Sequence, residues 1–429
     1  MKKLKWYGVA GLAAAGILLA ACGGKSDSSG DSASLRVANA TINHPSLDLL
    51  VNSNVAASAT AANTVSAYVA PASGSNTLQL NDAGGATALA TTVPTLTAGA
   101  HYTMVAYESG GSVKTVILSE DVAAPTAGVT LRIYNVAVDA GKLDVYITTN
   151  ACTNLTALTA SGSFAGASNQ PATLNQGAGT WNVCVTAQGS KTDLRMSMPI
   201  TIVGQTVASV LLLPASGGTL IDGALLTQQS TYAATRNPNV RVRLAAAVSG
   251  SAAVTATATT AAGSIAIDPS GLAPAFGFYA LVPATSALNV SIPSGSVASP
   301  TGLVAGSDMT LLVYGTPSSA TATLITDDNR LPTDATTVKM RLINGVTGTS
   351  GALTFTANNS LVATGVAPGT ASAYASVASS TTALNLSFTS TQSAGNYFSS
   401  DTTLNANTVY SVMLVGGGGD GVAKQLLIR

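Results

Sequence analysis

The sequence predicts an all-β protein built as a tandem array of β-sandwich modules, and three observations carry that prediction. Only 36 of the 429 residues are Lys, Arg, Asp or Glu, 8% of the chain, and its polarity comes from Ser, Thr and Asn instead. That balance favours strands and turns over solvated helices. The apolar segments run 4–8 residues, are rich in Val, Ile, Thr and Leu, and often alternate with polar residues. Clusters of Gly, Pro, Ser and Asn separate them at strand-like spacing. Finally, one set of landmarks recurs four times, the sequence signature of repeated structural units.

The first landmark is an arginine strand: Leu35-Arg36-Val37-Ala38-Asn39, Leu131-Arg132-Ile133-Tyr134-Asn135, Val242-Arg243-Leu244 and Met340-Arg341-Leu342-Ile343-Asn344, with the arginines 96, 111 and 98 residues apart. A second strand follows each arginine by twelve or thirteen residues, centred on Asp48, Asp144, Thr255 and Thr354. A third contains Leu78, Val183, Leu288 and Leu384, and in three modules an aromatic segment with Tyr68, Tyr279 or Tyr374 precedes it. The last landmark is a turn at Gly99, Gly204, Gly306 and Asn407, which lie 63, 72, 63 and 66 residues past their arginines. Gly and Asn tolerate positive φ and suit a tight turn feeding a buried strand.

These spacings place modules at 35–128, 129–230, 236–333 and 336–429. Six or seven short strands per module point to an immunoglobulin-like or transthyretin-like sandwich. The modules are open to pairing as 1–2 and 3–4, because Gln228 to Asn237 reads as the looser junction. Asp327-Asp328-Asn329 reads as a solvated linker, with a junctional calcium as the minor alternative.

Residues 1–21 read as a signal peptide. Lys2, Lys3 and Lys5 precede a 16-residue apolar run from Trp6 to Ala21, too short and wrongly flanked for a comfortable membrane span. Its end, Leu19-Ala20-Ala21-Cys22, resembles the lipobox of bacterial lipoproteins. That resemblance implies cleavage before Cys22, acylation of its thiol and partnership with a membrane through the N-terminal lipid. Several acyl chains, palmitate among them, anchor stably where one does not. Gly23-Gly24 after the cysteine imply export to the outer membrane, with the surface-exposed and periplasmic faces both open. Residues 22–34 then form a flexible tether, and the mature chain carries 15 basic and 18 acidic residues. With no basic excess, nucleic acid is excluded as a partner.

The arginine strand, the Leu-Asp strand, the tyrosine segment and the Leu-x-x-Gly hairpin together resemble the bacterial "domain of unknown function 4397" (DUF4397), which occurs in tandem on surface lipoproteins. The resemblance covers most of 33–429. Thr255, Thr354 and Ala246 depart from the family pattern, which expects Asp, Asp and Asn. The family implies an extracytoplasmic sandwich and brings no catalytic residues.

Cys152 and Cys184, an even pair in an exported protein, read as one disulfide closing a loop of about 33 residues, a stabilisation of about 3–4 kcal/mol. The search for chemistry finds little else. His44 and His101 have no histidine counterpart in the other modules and read as surface residues. No nucleophile elbow, Ser-x-x-Lys pair, His-Glu-x-x-His segment or phosphate loop occurs. Asp48 and Asp144 read as fold residues that meet Arg36 and Arg132 or hold a turn. The expected function is a non-enzymatic adhesive or ligand-binding surface protein with a glycan, matrix or envelope-protein partner and neither cofactor nor metal. A structural, envelope-maintenance role facing the periplasm is the alternative.

Overall fold

The computed structural model describes residues 31–164, 171–267, 272–293, 295–348, 351–393, 395–417 and 424–428. Cys22 and the signal peptide lie outside the described residues. Within them the protein is β-structure, with one 3₁₀ turn at Val138–Ala140 and no helix long and apolar enough to cross a membrane.

Each module is built on two main sheets, and module one adds a two-stranded sheet of Gly74–Ser75 and Thr95–Leu96. In the first module the arginine strand Ser34–Asn39 runs parallel to His101–Ser109, and Ser112–Ser119 completes that sheet. The second sheet is ordered Asn54–Ala61, Ser46–Val51, Leu78–Asp82, Ala88–Thr92. The plan recurs. Val129–Asn135 lies parallel to Thr206–Pro214, Asn239–Val248 to Asp308–Gly315, and Thr337–Thr347 to Thr408–Gly417. Across from these sit four-stranded antiparallel sheets built on Leu143–Thr148, Thr255–Thr260 and Leu353–Ala357. This allotment differs from the ABED/CFG split of immunoglobulin domains. Module two continues past residue 230, because Tyr232–Thr235 adds a fifth strand to its parallel-paired sheet.

The two sheets of a module bury different amounts of side chain. Several strands of the antiparallel sheets alternate, Leu384–Ser390 and Ala287–Ile292 among them. In Ala287–Ile292 the residues Leu288, Val290 and Ile292 are buried while Ala287, Asn289 and Ser291 are exposed. The central strands of the parallel-paired sheets are covered on both faces, so all of Val207–Pro214 and of Val240–Val248 is buried. One face joins the module's own core. The other packs against a second module. Ala38, Ala40, Val105 and Leu118 of module one share a core with Tyr134, Val136, Leu211 and Leu213 of module two. Ala245, Ala247, Phe276 and Leu312 of module three share another with Ile343, Met413 and Val415 of module four. Sheets covered on both sides need continuous apolar runs, and Leu211-Leu212-Leu213 and Leu311-Leu312-Val313 supply them.

The two pairs stack end to end. Asp193 and the Ser216–Thr219 turn of module two meet Arg241, Ala305 and Asp308 of module three. Leu331 N–H donates to Asp139 O, and Gly110 of module one lies against Thr333 before module four. The stretch from Gln228 to Asn237 is not loose. Gln228 exchanges two hydrogen bonds with Val122, and Arg236 bridges Asp222 and Thr41 O. Asp31, where the described chain begins, lies at the end of pair 1–2 away from this junction, its carbonyl accepting from Ser73 N–H. Strands of nine to eleven residues make each pair about 30 Å long.

The turn landmark holds with one shift. Gly99, Gly306 and Asn407 take φ of 72°, 78° and 53°, but in module two the left-handed residue is Gln205, at 59°, rather than Gly204.

Candidate functional site

The repeated arginines stand at the centre of each pair. In pair 3–4, Arg243 Nε donates to Thr310 Oγ1 at 3.0 Å and Nη2 reaches Ser411 Oγ of module four at 2.8 Å. Arg341 answers in kind, with Nε on Ser411 Oγ at 3.0 Å and Nη2 on Thr310 Oγ1 at 3.3 Å. The bonds are reciprocal, as across an isologous interface. Asp327 serves both guanidinium groups, directly at Arg341 and at 3.3 Å from Arg243, and also accepts from Thr310 and Tyr279. Asp327 is fully buried. A buried carboxylate needs this density of donors to offset its desolvation.

Pair 1–2 keeps half of the arrangement. Arg36 Nη2 meets Glu120 at 2.8 Å, its Nε bonds Thr103 Oγ1 at 2.9 Å, and Nη1 bonds Ser230 O of module two at 2.7 Å. Arg132 takes the Ser119 carbonyl, as Arg341 takes that of Thr326, but turns to Tyr134 OH instead of the carboxylate. The tyrosine landmark now has a role. Arg36, Arg243 and Arg341 stack on Tyr68, Tyr279 and Tyr374 at 4.7, 4.6 and 4.8 Å from the ring centres, and Arg132 stacks on Tyr134 at 5.1 Å. Burial, opposed in part by Arg341, raises the Tyr374 phenol to about 12, so it stays a neutral donor or acceptor.

A third buried cluster ties the pairs together. Arg241 Nε lies 2.7 Å from Asp308, and Asn329 donates to the same carboxylate at 2.7 Å. Burial pushes the Asp308 carboxyl up, but Arg241, Asn329 and Arg195 outweigh it and hold it below the usual range. Asp328 pairs with Arg330 and Lys339 at 2.7 and 2.8 Å. The Asp327-Asp328-Asn329 run is therefore neither a solvated linker nor a calcium site, since cationic and amide donors occupy its oxygens.

Asp48 and Asp144 meet no arginine. They hold turns, Asp48 accepting from Ala59 and Gly84 N–H, and Asp144 from Ser163 Oγ and Gly189 N–H. Where modules three and four carry Thr255 and Thr354, hydroxyls pair across the sheet instead, at 2.8 Å to Ser291 and 3.2 Å to Thr364. His44 sits 2.7 Å from Asp82 and His101 3.0 Å from Asp121, both partly exposed and neither near a nucleophile. The sulfurs of Cys152 and Cys184 are 2.05 Å apart. With Tyr146 and Leu155 they close the loop after Leu143–Thr148 onto the outward face of that sheet.

The antiparallel sheets of modules three and four present rows of small uncharged polar residues. On module three, Thr255, Thr259, Asn289 and Ser291 are exposed, and Asn289 Nδ2 bonds Thr259 Oγ1 at 2.9 Å. On module four, Thr354 and Thr356 lie opposite Thr389 and Ser387, beside exposed Asn385. Such rows offer hydrogen bonds without fixing charge. Among the described residues, no group of three His, Cys, Asp or Glu side chains could hold a metal ion.

The residues that carry the DUF4397 pattern thus build the sandwich and the pair interface. Residues 33–146 match the family model described as Domain of unknown function (DUF4397). The match spans the whole first module and, in the second, its first strand and the start of Leu143–Thr148. No match is found among curated proteins. Among solved structures, the Bacillus anthracis TIE protein is similar over 90% of this chain and 68% of that chain, at 10% identity and a TM-score of 0.16, too low to carry an argument.

Proposed function

We propose that this is a lipid-anchored, extracytoplasmic, non-enzymatic protein that binds a hydroxyl-rich ligand, a polysaccharide or matrix component, through its module array. The observation that carries this reading is the division of labour between the sheets. The parallel-paired sheets and every repeated arginine are committed to the pair interfaces, whereas the antiparallel sheets of modules three and four turn uncharged Thr, Ser and Asn rows outward. Several weak, similar surfaces gain avidity on a repetitive ligand. The Leu19-Ala20-Ala21-Cys22 sequence supports anchoring through Cys22; of the tether read over 22–34, residues 32–34 pair into module one instead. The repeated carboxylates are used in turns and ion pairs, which supports a binding rather than a catalytic role.

The test uses the mature chain with Cys22→Ser on an immobilised polysaccharide panel. Retention on at least one polysaccharide, weakened severalfold by Asn289→Ala together with Asn385→Ala, is expected; no retention on any would overturn the reading. Protease treatment of intact cells decides the face. Loss of the modules marks surface display, and full protection replaces this reading with an envelope role.

A further inference from the structure

The exposed apolar side chains of pair 1–2 are not scattered. Among its described residues three large aliphatic side chains stand mostly in solvent, Val55, Val93 and Val203, at 59, 61 and 72% exposure. Hydrogen bonds trace all three to one end. Val93 precedes Pro94, whose carbonyl accepts from Asn76 N–H at 3.1 Å. The buried Asn76 side chain donates to Ala72 O at 2.7 Å and accepts from Asn52 at 3.0 Å, and Ala72 bridges Ser32. Val55 leaves the Asn52-Ser53 turn, opposite Leu50. Val203 belongs to module two, and its carbonyl accepts from Thr206 Oγ1 at 2.6 Å. From there Gln228 N–H donates to Val207 O, Gln229 reaches Asp121, and Asp121 accepts from the N–H of His101, which pairs with Ser34. The three valines thus stand at the end where Asp31 lies.

That end has the chemistry of a lipid contact. The turns that carry the valines, 52–55, 93–98 and 203–205, contain no charged residue. Asp121, beside them, is held by His101 and Gln229. Trp181 belongs to the same end: its strand pairs Gly179 with Ile202, next to Val203, and its indole N–H donates to Gly177 O at 3.0 Å. Apolar tips, uncharged polar turns and an amphipathic indole suit the boundary between water and hydrocarbon. Chain length limits what can lie opposite. Nine residues lead from Cys22 to Asp31 and reach at most about 30 Å. A lipid on Cys22 therefore holds this end of the protein, and not the far tip, within that distance of the bilayer.

We propose that the Asp31 end of pair 1–2 is a bilayer-docking face, on which Val55, Val93 and Val203 enter the headgroup boundary of a zwitterionic membrane and point the module array away from it. The proposal rests on the lipid-anchoring reading and adds an orientation to it. Three valines are too few to capture a bilayer from solution. On an anchored chain the contact is intramolecular in effect, and its high local concentration closes it.

After Ala21 the chain has one tryptophan, Trp181, and it serves as the reporter. The acylated chain is reconstituted into phosphatidylcholine vesicles with and without lipid brominated near the headgroup end of its acyl chains. Bromolipid is expected to quench Trp181 fluorescence, and Val55→Ser together with Val93→Ser and Val203→Ser should remove most of that quenching. Ser318 is exposed in the turn after Gly315, which pairs with Val248 at the far tip. A reporter moved there, Trp181→Phe with Ser318→Trp, should not be quenched. Flotation checks that each variant is anchored, and thermal melts confirm that each is folded. Flotation of the parent chain without quenching, or quenching that the triple variant leaves unchanged, overturns the docking face and leaves the anchoring standing. Failure of the parent to float overturns both. Concentration-dependent association of the Cys22→Ser chain that the triple variant abolishes would make this end a contact between copies, and would overturn the proposal as well.

Discussion

Pairs 1–2 and 3–4 solve one packing problem in two ways. Both set a pair of arginines between their modules, three of the four buried and Arg132 partly exposed. In pair 3–4 a single carboxylate, Asp327, serves Arg243 and Arg341. In pair 1–2 Glu120 serves Arg36, and Arg132 is met by a carbonyl and by Tyr134. The longer Glu120 also reaches the main-chain N–H of Gln229, so this pair's charge cluster is tied to the strap after module two. A neighbouring carbonyl, hydroxyl and aromatic ring thus replace the second charge pair. Repeated sequence therefore specifies a repeated interface without specifying its bonding.

The sharpest way to break the comparison is to remove the carboxylates. Asp327→Ala strands two buried guanidinium groups and is expected to cost about 3–5 kcal/mol, while Glu120→Ala strands one and should cost less. Denaturant unfolding of the two variants measures this, and equal losses would mean that Arg132 depends on Glu120 as much as Arg341 depends on Asp327. A smaller effect distinguishes the pairs by size. Gly345→Ala overpacks pair 3–4 and should cost about 1–3 kcal/mol, whereas at the matching position Val136→Ala empties pair 1–2 and should cost about 1–2 kcal/mol. Thermal melts showing Gly345→Ala to be neutral would contradict the close approach to Ala247.

The smallest effect concerns acid. Asp308 has its carboxyl lowered in the fold, so its contribution is present above the unfolded value near 3.9 and is lost as pH falls through the lower folded value. Asp222, which burial raises despite Arg236 and the Asn237 N–H, works in the opposite sense and in a higher window, its penalty growing as pH rises from the unfolded value near 3.9 to the higher folded value. Asp308→Asn should flatten the fall in stability below about pH 4 relative to the parent chain. An unchanged acid limb would show that Asp308 is not what couples the pairs to pH.

Much of the architecture was legible in the sequence because the landmarks are local. Alternation in Ala287–Ile292, the turn residues Gly99, Gly306 and Asn407, and the recurrent arginines mark strands and periods directly. Partnerships were not legible, because they are decided by residues far apart in the chain. Asp48 reads from the sequence as a partner of Arg36 or a turn residue; it holds a turn, and the carboxylate of Arg36 is Glu120, 84 residues away. Asp327-Asp328-Asn329 looked solvated because its partners Arg243, Lys339 and Asp308 lie on other strands. The pair interface did leave a signal in the uninterrupted apolar runs of Leu211–Leu213 and Leu311–Val313, which alternation alone does not explain. The sequence offered no comparable signal for the closer approach of modules three and four at Gly345, where a Cβ would lie 2.8 Å from Ala247 and where pair 1–2 carries Val136.

The parallel pairing of Ser34–Asn39 with His101–Ser109 has a mechanical consequence. Six register pairs join these strands, and the first strand enters at the end where Asp31 lies. A pull on the N-terminal segment, opposed at the far tip, runs along these strands and perpendicular to their hydrogen bonds. The bonds are then loaded in shear and must yield together, instead of opening one after another like a zipper. Traction on the chain meets its stiffest element first.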